Sequence, residues 1–388
     1  MKICINRALR HWKAWGRLTL PCVASCLLFG MPARAADRQV LSGHVPAAIA
    51  RLTPVERLAA TQPMNLVVAL PLRNKEALTN LLHDLYDPAS PKYHQYLTPE
   101  QFTEQFGPTE ADYQALIASA RSSGLTVGGK HPNRTLLDVR GSVADIEKAL
   151  HVTMRVYQHP KEARTFYAPD VEPSLDWSVP VLHISGLDNY TLPFPKYHKI
   201  DLTNTAKVLP KAGSGPGGTY MGYDFRSAYA PGVNLNGAGQ VVGLLQFDGY
   251  YANDIVAYEN LAGLPNVTLE NVLLDGFNGT PTGSGGEVEV SLDIEMVISM
   301  APGVSKVIVY EAGPFGLPDD ILNSMATENR APQLSCSWGW GGGPNPATDQ
   351  IFQQMIAQGQ TFFDASGDSD AFPPGVVDDP LTDRKSVV

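Results

Sequence analysis

Gly285-Gly286-Glu287-Val288-Glu289-Val290-Ser291-Leu292-Asp293-Ile294-Glu295-Met296, running on to Ala301-Pro302-Gly303, is the stretch around which the rest of the chain is organised. A glycine pair opens it, Pro302-Gly303 closes it, and four carboxylates alternate with apolar residues between them, the pattern of a short helix with a defined start and stop. On such a helix Glu289 and Asp293 stand one turn apart on the same face. No Lys or Arg lies in the run to neutralise them. Two carboxyl groups held together can share a proton at low pH. The competing interpretation is a solvated acidic helix face, and the flanking sequence has to decide between the two.

Outward from this helix the pattern is α/β. Upstream, Gln240–Phe247 is a continuous apolar strand; downstream come a strand over Val304–Tyr310, a helix over 318–329, a strand over Gln333–Trp338, a helix over Pro346–Gln358 and a strand over Thr361–Ala365. Near-continuous apolar strands alternating with helices imply a parallel sheet covered on both faces. Chemistry in such sheets gathers at the carboxyl ends of the strands. Two of those ends stand out: Ser335-Cys336-Ser337-Trp338-Gly339 and Ala365-Ser366-Gly367-Asp368-Ser369.

Before this region, residues 193–218 form a proline-, glycine- and lysine-rich linker, where proteolytic nicking concentrates. Its glycines satisfy G-x-G-x-x-G only formally, because no strand precedes them. Residues 36–192 read as an α+β domain. Met64–Leu72 is a strand and Lys75–Tyr86 a helix; Thr98, Thr109 and Ser142 are helix N-caps; 125–140 is a hairpin turning near Pro132-Asn133; Met154–Tyr157 pairs with Thr165–Ala168. Strand, helix, paired strands, helix, strand is the order of a split βαβ sandwich. Its histidines, His94, His131 and His151, have no partner at ligand spacing and read as structural.

Residues 1–35 have a basic start, an apolar run from Leu18 to Met31 and Ala33-Arg34-Ala35 before Ala36, the marks of a secretory signal. The apolar run is too short for a permanent membrane anchor. The 388 residues, 44% hydrophobic and 18% charged, suffice for two or three domains. Without the signal's six basic residues, 23 Lys+Arg face 39 Asp+Glu, a net −16 that argues against nucleic acid and anionic membranes. Of the four cysteines only Cys336 lies beyond the signal, so no intrachain disulfide and no cysteine metal site is expected. The product is expected outside the cytoplasm, secreted or periplasmic.

Taken in order, Tyr93-His94-Gln95-Tyr96-Leu97-Thr98, Glu289-x-x-x-Asp293 continuing to Ala301-Pro302-Gly303, Ser335-x-Ser337-Trp338-Gly339 and Gly367-Asp368-Ser369 make the chain resemble the sedolisin (serine-carboxyl peptidase) family, its kumamolisin-like members in particular. The resemblance covers about residues 45 to 378. It implies an α+β ferredoxin-like prodomain packed on its own α/β subtilisin-like catalytic domain, with peptides or proteins as substrates. It makes Glu289 the general base, Asp293 its hydrogen-bonded orienter and Asp368 the oxyanion donor. A carboxyl donates there only when protonated, hence activity at acid pH. The Ser337, Trp338 and Gly339 backbone is expected to pair with extended substrate as an added strand. Gln246 lies where some relatives carry a glutamate linked to the base.

The family's nucleophile is a serine in Gly-Thr-Ser, well over a hundred residues beyond the Gly-Asp-Ser motif. No Gly-Thr-Ser occurs in this sequence, which runs about twenty residues past Asp368. Calcium is implied for full-length members, but its ligand loop is not found here and no metal ligand is assigned. Residues 219–388 therefore read as the N-terminal part of a peptidase domain, its parallel sheet incomplete, and the chain alone is expected to be inactive. The alternative is a non-catalytic, prodomain-bearing product that binds or inhibits related peptidases. A glycosidase pair is disfavoured, because carboxylates one helical turn apart point the same way and cannot flank a sugar bond.

Overall fold

The computed structural model describes residues 38–197, 212–341 and 345–368. The expected signal (1–35), the middle of the linker (198–211), Ser369 and the residues after it lie outside the described residues.

In the N-terminal region, the strands of the two larger sheets are β1 (Glu56–Arg57), β2 (Pro63–Ala69), β3 (Thr126–Lys130), β4 (Leu136–Ser142), β5 (Met154–Gln158), β6 (Thr165–Pro169) and β7 (His183–Ser185). Helices are α1 (Lys75–Tyr86), α2 (Pro99–Phe106), α3 (Glu110–Ser122) and α4 (Val143–Leu150). Local chemistry sets the helix starts. Thr98 Oγ1 accepts from Gln101 N–H while Gln101 Oε1 accepts from Thr98 N–H, a complete capping box, and Ser142 with Asp145 repeats it for α4.

An antiparallel sheet runs in the order β3-β4-β2-β7, and a second in the order β1-β5-β6. The strand that closes the first sheet is therefore β7, not β5, the next strand in sequence after α4. β5 is taken up by pairing with β6 from Met154↔Pro169 to Gln158↔Thr165. The sheet has two buried faces. Leu66 and Val68 of β2 pack with Leu116 and Ile117 of α3 and Ile146 of α4, whereas Val67, Ala69 and Leu136 belong to the core of the C-terminal region. That double burial explains why residues 64–72 form a continuous apolar run instead of alternating.

The C-terminal region adds β8 (Phe194–Pro195), α5 (Tyr223–Tyr229), β9 (Val241–Gln246), α6 (Ala252–Ala262), β10 (Leu269–Leu273), α7 (Gly286–Met300), β11 (Lys306–Glu311), α8 (Pro318–Glu328), β12 (Gln333–Cys336), β13 (Trp338–Gly339), α9 (Pro346–Gln358) and β14 (Thr361–Asp364). Five strands form a parallel sheet in the order β10-β11-β9-β12-β14. The chain leaves β9 towards one edge and β12 towards the other. The carboxyl ends of these adjacent strands, at Gln246 and Cys336, thus flank the place where an open α/β sheet offers a crevice.

The two regions meet through α8 and α9. Gln350 Nε2 donates to Leu70 O while its Oε1 accepts from Leu72 N–H, and Ala357 O accepts from Leu97 N–H. Asn133, fully buried at the hairpin turn, donates through Nδ2 to Asn323 Oδ1 (2.6 Å) and Gln354 Oε1 (2.8 Å). His131, expected to stand alone, does not: its Nε2 is 2.8 Å from Asp138 Oδ1 and 3.5 Å from Asp320 Oδ1 of α8. Two further expectations need correction. The strand from Gln333 breaks at Ser337, and Trp338–Gly339 pairs with Phe194–Pro195 rather than with the main sheet. The first residues of the expected linker are accordingly a strand, not a loose connection.

Candidate active site

The glycine pair before α7 is dictated by space and conformation. Gly285 has φ of 106°, and a Cβ on Gly286 would come 2.7 Å from Asp248 Oδ2 and 3.0 Å from Trp338 Cη2. The helix start is thereby pressed against Trp338, and the first two turns of α7 face the sheet ends. Val290, Ile294 and Ile298 enter the core beside Glu289 and Asp293, while Val288 and Leu292 are exposed.

Glu289 and Asp293 are buried, at 2% and 9% exposure. Asp293 is saturated. Ser337 Oγ donates to its Oδ1 (2.6 Å) and Gln246 Nε2 to its Oδ2 (2.7 Å). Trp338 Nε1–H donates to Gln246 Oε1 (2.7 Å), which fixes which end of the amide faces Asp293. Both Asp293 oxygens act as acceptors, the arrangement of an ionised carboxylate. Glu289 differs: its Oε2 meets no hydrogen-bond partner among the described residues. Burial, then the charges of Asp293 and Asp368, push Glu289 up to about 8, although a hydrogen bond with Ser337 pulls the other way. Burial raises Asp293 to about 6, and its bonds from Ser337 and Gln246 limit the rise. Both acids are thus held above the usual carboxylate range, Glu289 further than Asp293.

No direct Glu289–Asp293 hydrogen bond is present among the described residues, contrary to the expected orienter contact. The Gln246 amide and the Ser337 hydroxyl occupy the Asp293 oxygens, and Ser337 is close enough to Glu289 to lower its value as well. Ser337, expected to act through its backbone, and Gln246, noted from sequence only for its position, thus contribute side chains that hold Asp293. Gln246 ends β9 as a polar residue after an apolar run. Glu311 does the same for β11. It is fully buried, neither of its carboxyl oxygens meets a partner among the described residues, and burial with the charge of Asp248 raises it to about 8.

Asp368 lies at the exposed end of the segment after β14, near enough for its charge to act on Glu289. Ser337, Trp338 and Gly339 already have an extended partner, residues 194–196 of the same chain. Phe194 pairs with Gly339 and Pro195 with Trp338, antiparallel; Lys196 N–H donates to Ser337 O (2.9 Å) and Asp368 N–H to Lys196 O (3.2 Å). Tyr197 Oη donates to Gly285 O at the start of α7. Glu289, Asp293, Ser337, Trp338 and Gly339 thus lie around the start of α7, Asp368 is near enough for its charge to act on Glu289, and a strand of the chain is laid across them.

His131, Asp138 and Asp320 form a separate group whose ligand atoms lie within 4.8 Å of one another. Its chemistry does not suit a cation. His131 Nδ1 accepts from Asn323 Nδ2 (2.9 Å), and Asn323 Oδ1 is held by Asn133, so the proton of the neutral ring is on Nε2 and no lone pair faces the carboxylates. Burial and the neighbouring Asp275 and Asp138 hold Asp320 well above the usual carboxylate range, as fits carboxyls sharing protons. Among the described residues no helix is long and apolar enough to cross a membrane.

Residues 50–190 match the family described as "Pro-kumamolisin, activation domain". Xanthomonalisin of Xanthomonas sp. (strain T-22) is 29% identical over 344 residues, covering 82% of this chain and 41% of the relative. Sedolisin of Pseudomonas sp. (strain 101) is 28% identical over 334 residues, 82% of this chain and 56% of the relative. Kumamolisin of Bacillus sp. (strain MN-32) is 26% identical over 348 residues, 86% of this chain and 62% of the relative. The chain thus spans roughly half the length of these curated relatives. With a match to an activation domain of this type over residues 50–190 and relatives aligned over more than four fifths of its length, the chain is similar to members of the sedolisin family.

Proposed function

We propose that the chain carries the activation domain and the first part of the peptidase domain of a secreted serine-carboxyl endopeptidase precursor that cleaves peptide bonds at acid pH. On this reading the β3-β4-β2-β7 sheet with α3 and α4 is a ferredoxin-like prodomain, residues 219–388 start a subtilisin-like domain, and the connection between them is processed. The observation that carries it is the asymmetry of the buried acid pair. Asp293 has both oxygens occupied, while Glu289 keeps Oε2 open.

Glu289 takes the proton of an attacking serine hydroxyl through that open oxygen and later returns it to the leaving amine. Asp293, Ser337 and Gln246 hold Glu289 in place and stabilise its charge changes. Asp368, protonated, donates to the oxyanion, a contact of the kind typically worth ~3 kcal/mol. The serine is assigned to no residue of this sequence. Full-length relatives are expected to hold calcium, but none of the residues described here is assigned to it and no step is derived through it.

The test is protein hydrolysis at pH 3–5 by the full gene product. Glu289→Ala and Asp368→Ala are each expected to lower kcat by at least ~100-fold. Hydrolysis that persists in Glu289→Ala overturns the assignment of the base. An acid limb of the pH profile unmoved by Asp368→Asn overturns the oxyanion role.

A further inference from the structure

The strand that lies across the candidate site ends in a lysine whose environment was built for a cation. Lys196 directs its side chain inward between β13 and the end of β14, and only 5% of that side chain is exposed. Its Nζ donates to Asp364 Oδ2 (2.7 Å) and to Ala365 O (2.7 Å), and Asp364 is itself largely covered. The backbone on either side is fixed by the Lys196 N–H to Ser337 O bond and by the Asp368 N–H to Lys196 O bond. Gly367, with φ of +88°, lies beside it, a Cβ there coming 3.9 Å from Lys196 O and 4.0 Å from Lys196 Cβ. A carboxylate at the base of an enclosed, backbone-lined slot discriminates strongly. A neutral or acidic side chain placed there leaves Asp364 buried without its cation.

Resting on the peptidase reading above, we propose that this slot is a specificity subsite for lysine. Its ligand class is an extended peptide with lysine at the residue whose N–H meets Ser337 O and whose carbonyl meets Asp368 N–H. Asp364 is the residue that selects it, and Lys196 occupies the slot in the precursor. Two acceptors at 2.7 Å from a single nitrogen suit an ammonium, which offers three donors from one point, better than a planar guanidinium.

The test uses the full chain with Lys196→Gly, which empties the slot while leaving the backbone strand in place, and n-butylammonium as the probe, a lysine side chain without its backbone. The proposal expects n-butylammonium to raise the melting temperature of Lys196→Gly in a saturable way. It also expects at least tenfold weaker binding to Lys196→Gly/Asp364→Asn, and no comparable shift from 1-butanol. Equal binding to the double variant, or equal shifts from 1-butanol, overturns it. Should Lys196→Gly fail to fold, reductive methylation of the unaltered chain gives the answer. Lys196 is expected to react at least tenfold more slowly than the exposed Lys75, and Asp364→Asn to remove most of that protection; equal rates overturn the proposal. Both measurements read cation binding alone, so their failure is distinct from a failure of the hydrolysis test.

Discussion

Replacing Glu289 by Gln tests the protonation of the site without requiring turnover. Glu289 is 2% exposed, its Oε2 has no partner among the described residues, and burial with the charges of Asp293 and Asp368 lifts it from 4.5 to about 8. An acid whose folded value stands above its unfolded one binds more protons folded than unfolded in the interval between them. Stability from this group is therefore complete below about 4.5 and is lost as pH rises to about 8. At ~1.4 kcal/mol per unit, the shift sets a ceiling of roughly 5 kcal/mol, and relaxation with water entry brings the expected value to about 2–3 kcal/mol. Gln copies the shape of the protonated acid and never ionises. The variant should match the parent within about 1 kcal/mol at pH 4 and exceed it by about 2–3 kcal/mol at pH 8.5. Urea unfolding followed by tryptophan fluorescence from pH 4 to 8.5 measures the difference. Parallel stability curves for the two proteins refute the assigned proton.

Gly286→Ala, which in an ordinary helix interior would stabilise by up to ~1 kcal/mol, should destabilise by about 1–2 kcal/mol, because the new methyl meets Asp248 and Trp338; the urea midpoint reports the sign. Gln246→Glu replaces the amide donor to Asp293 by a carboxyl that must bind a proton to keep the contact. The stability of this variant should fall more steeply between pH 4.5 and 8, by up to one proton or ~1.4 kcal/mol per pH unit, in the same unfolding series. Asn133→Ala removes the shared donor of Asn323 and Gln354 at a buried contact and should cost about 2–4 kcal/mol, read from the loss of stability at pH 5; a loss under ~0.5 kcal/mol would show that water replaces the amide there.

The features legible in the sequence are those with local causes. Thr98 with Gln101 and Ser142 with Asp145 announce their helices because capping is settled within four residues. Glu289 and Asp293 fall on one buried face because helical spacing alone puts them there. β10 carries no strand signal because Leu-Glu-Asn-Val-Leu is a half-exposed edge strand with neither a continuous apolar run nor a clean alternation. The Asp320 partner of His131 comes from almost two hundred residues away and leaves no local trace. Phe194-Pro195-Lys196 read as linker because proline removes a ladder donor. An edge strand tolerates that loss, and the flanking Lys196 supplies the N–H that reaches Ser337 O. The two-faced burial of β2 could be seen only as an unexplained absence of alternation, since its second partner is the C-terminal region.

The pair's proton and the strand across it bear on one another. On the proposed reading Glu289 must be unprotonated to act, yet at about 8 it holds its proton throughout the acid range in which the peptidase is proposed to work. Acidification alone cannot release it, because lowering the pH moves Glu289 further from ionisation. The largest cause of the shift is burial, and residues 194–197 lie beside this part of the site. They lie along Ser337–Gly339 on one side and reach the start of α7 through Tyr197 on the other. Departure of this strand would readmit water to Glu289 and lower its affinity for the proton, while Asp293, held by Gln246 and Ser337, stays in place. On the proposed reading the strand fills the substrate position beside Glu289. On the same reading, acid pH serves the carboxyl of Asp368, and exchange of the tethered strand for substrate opens the site to Glu289.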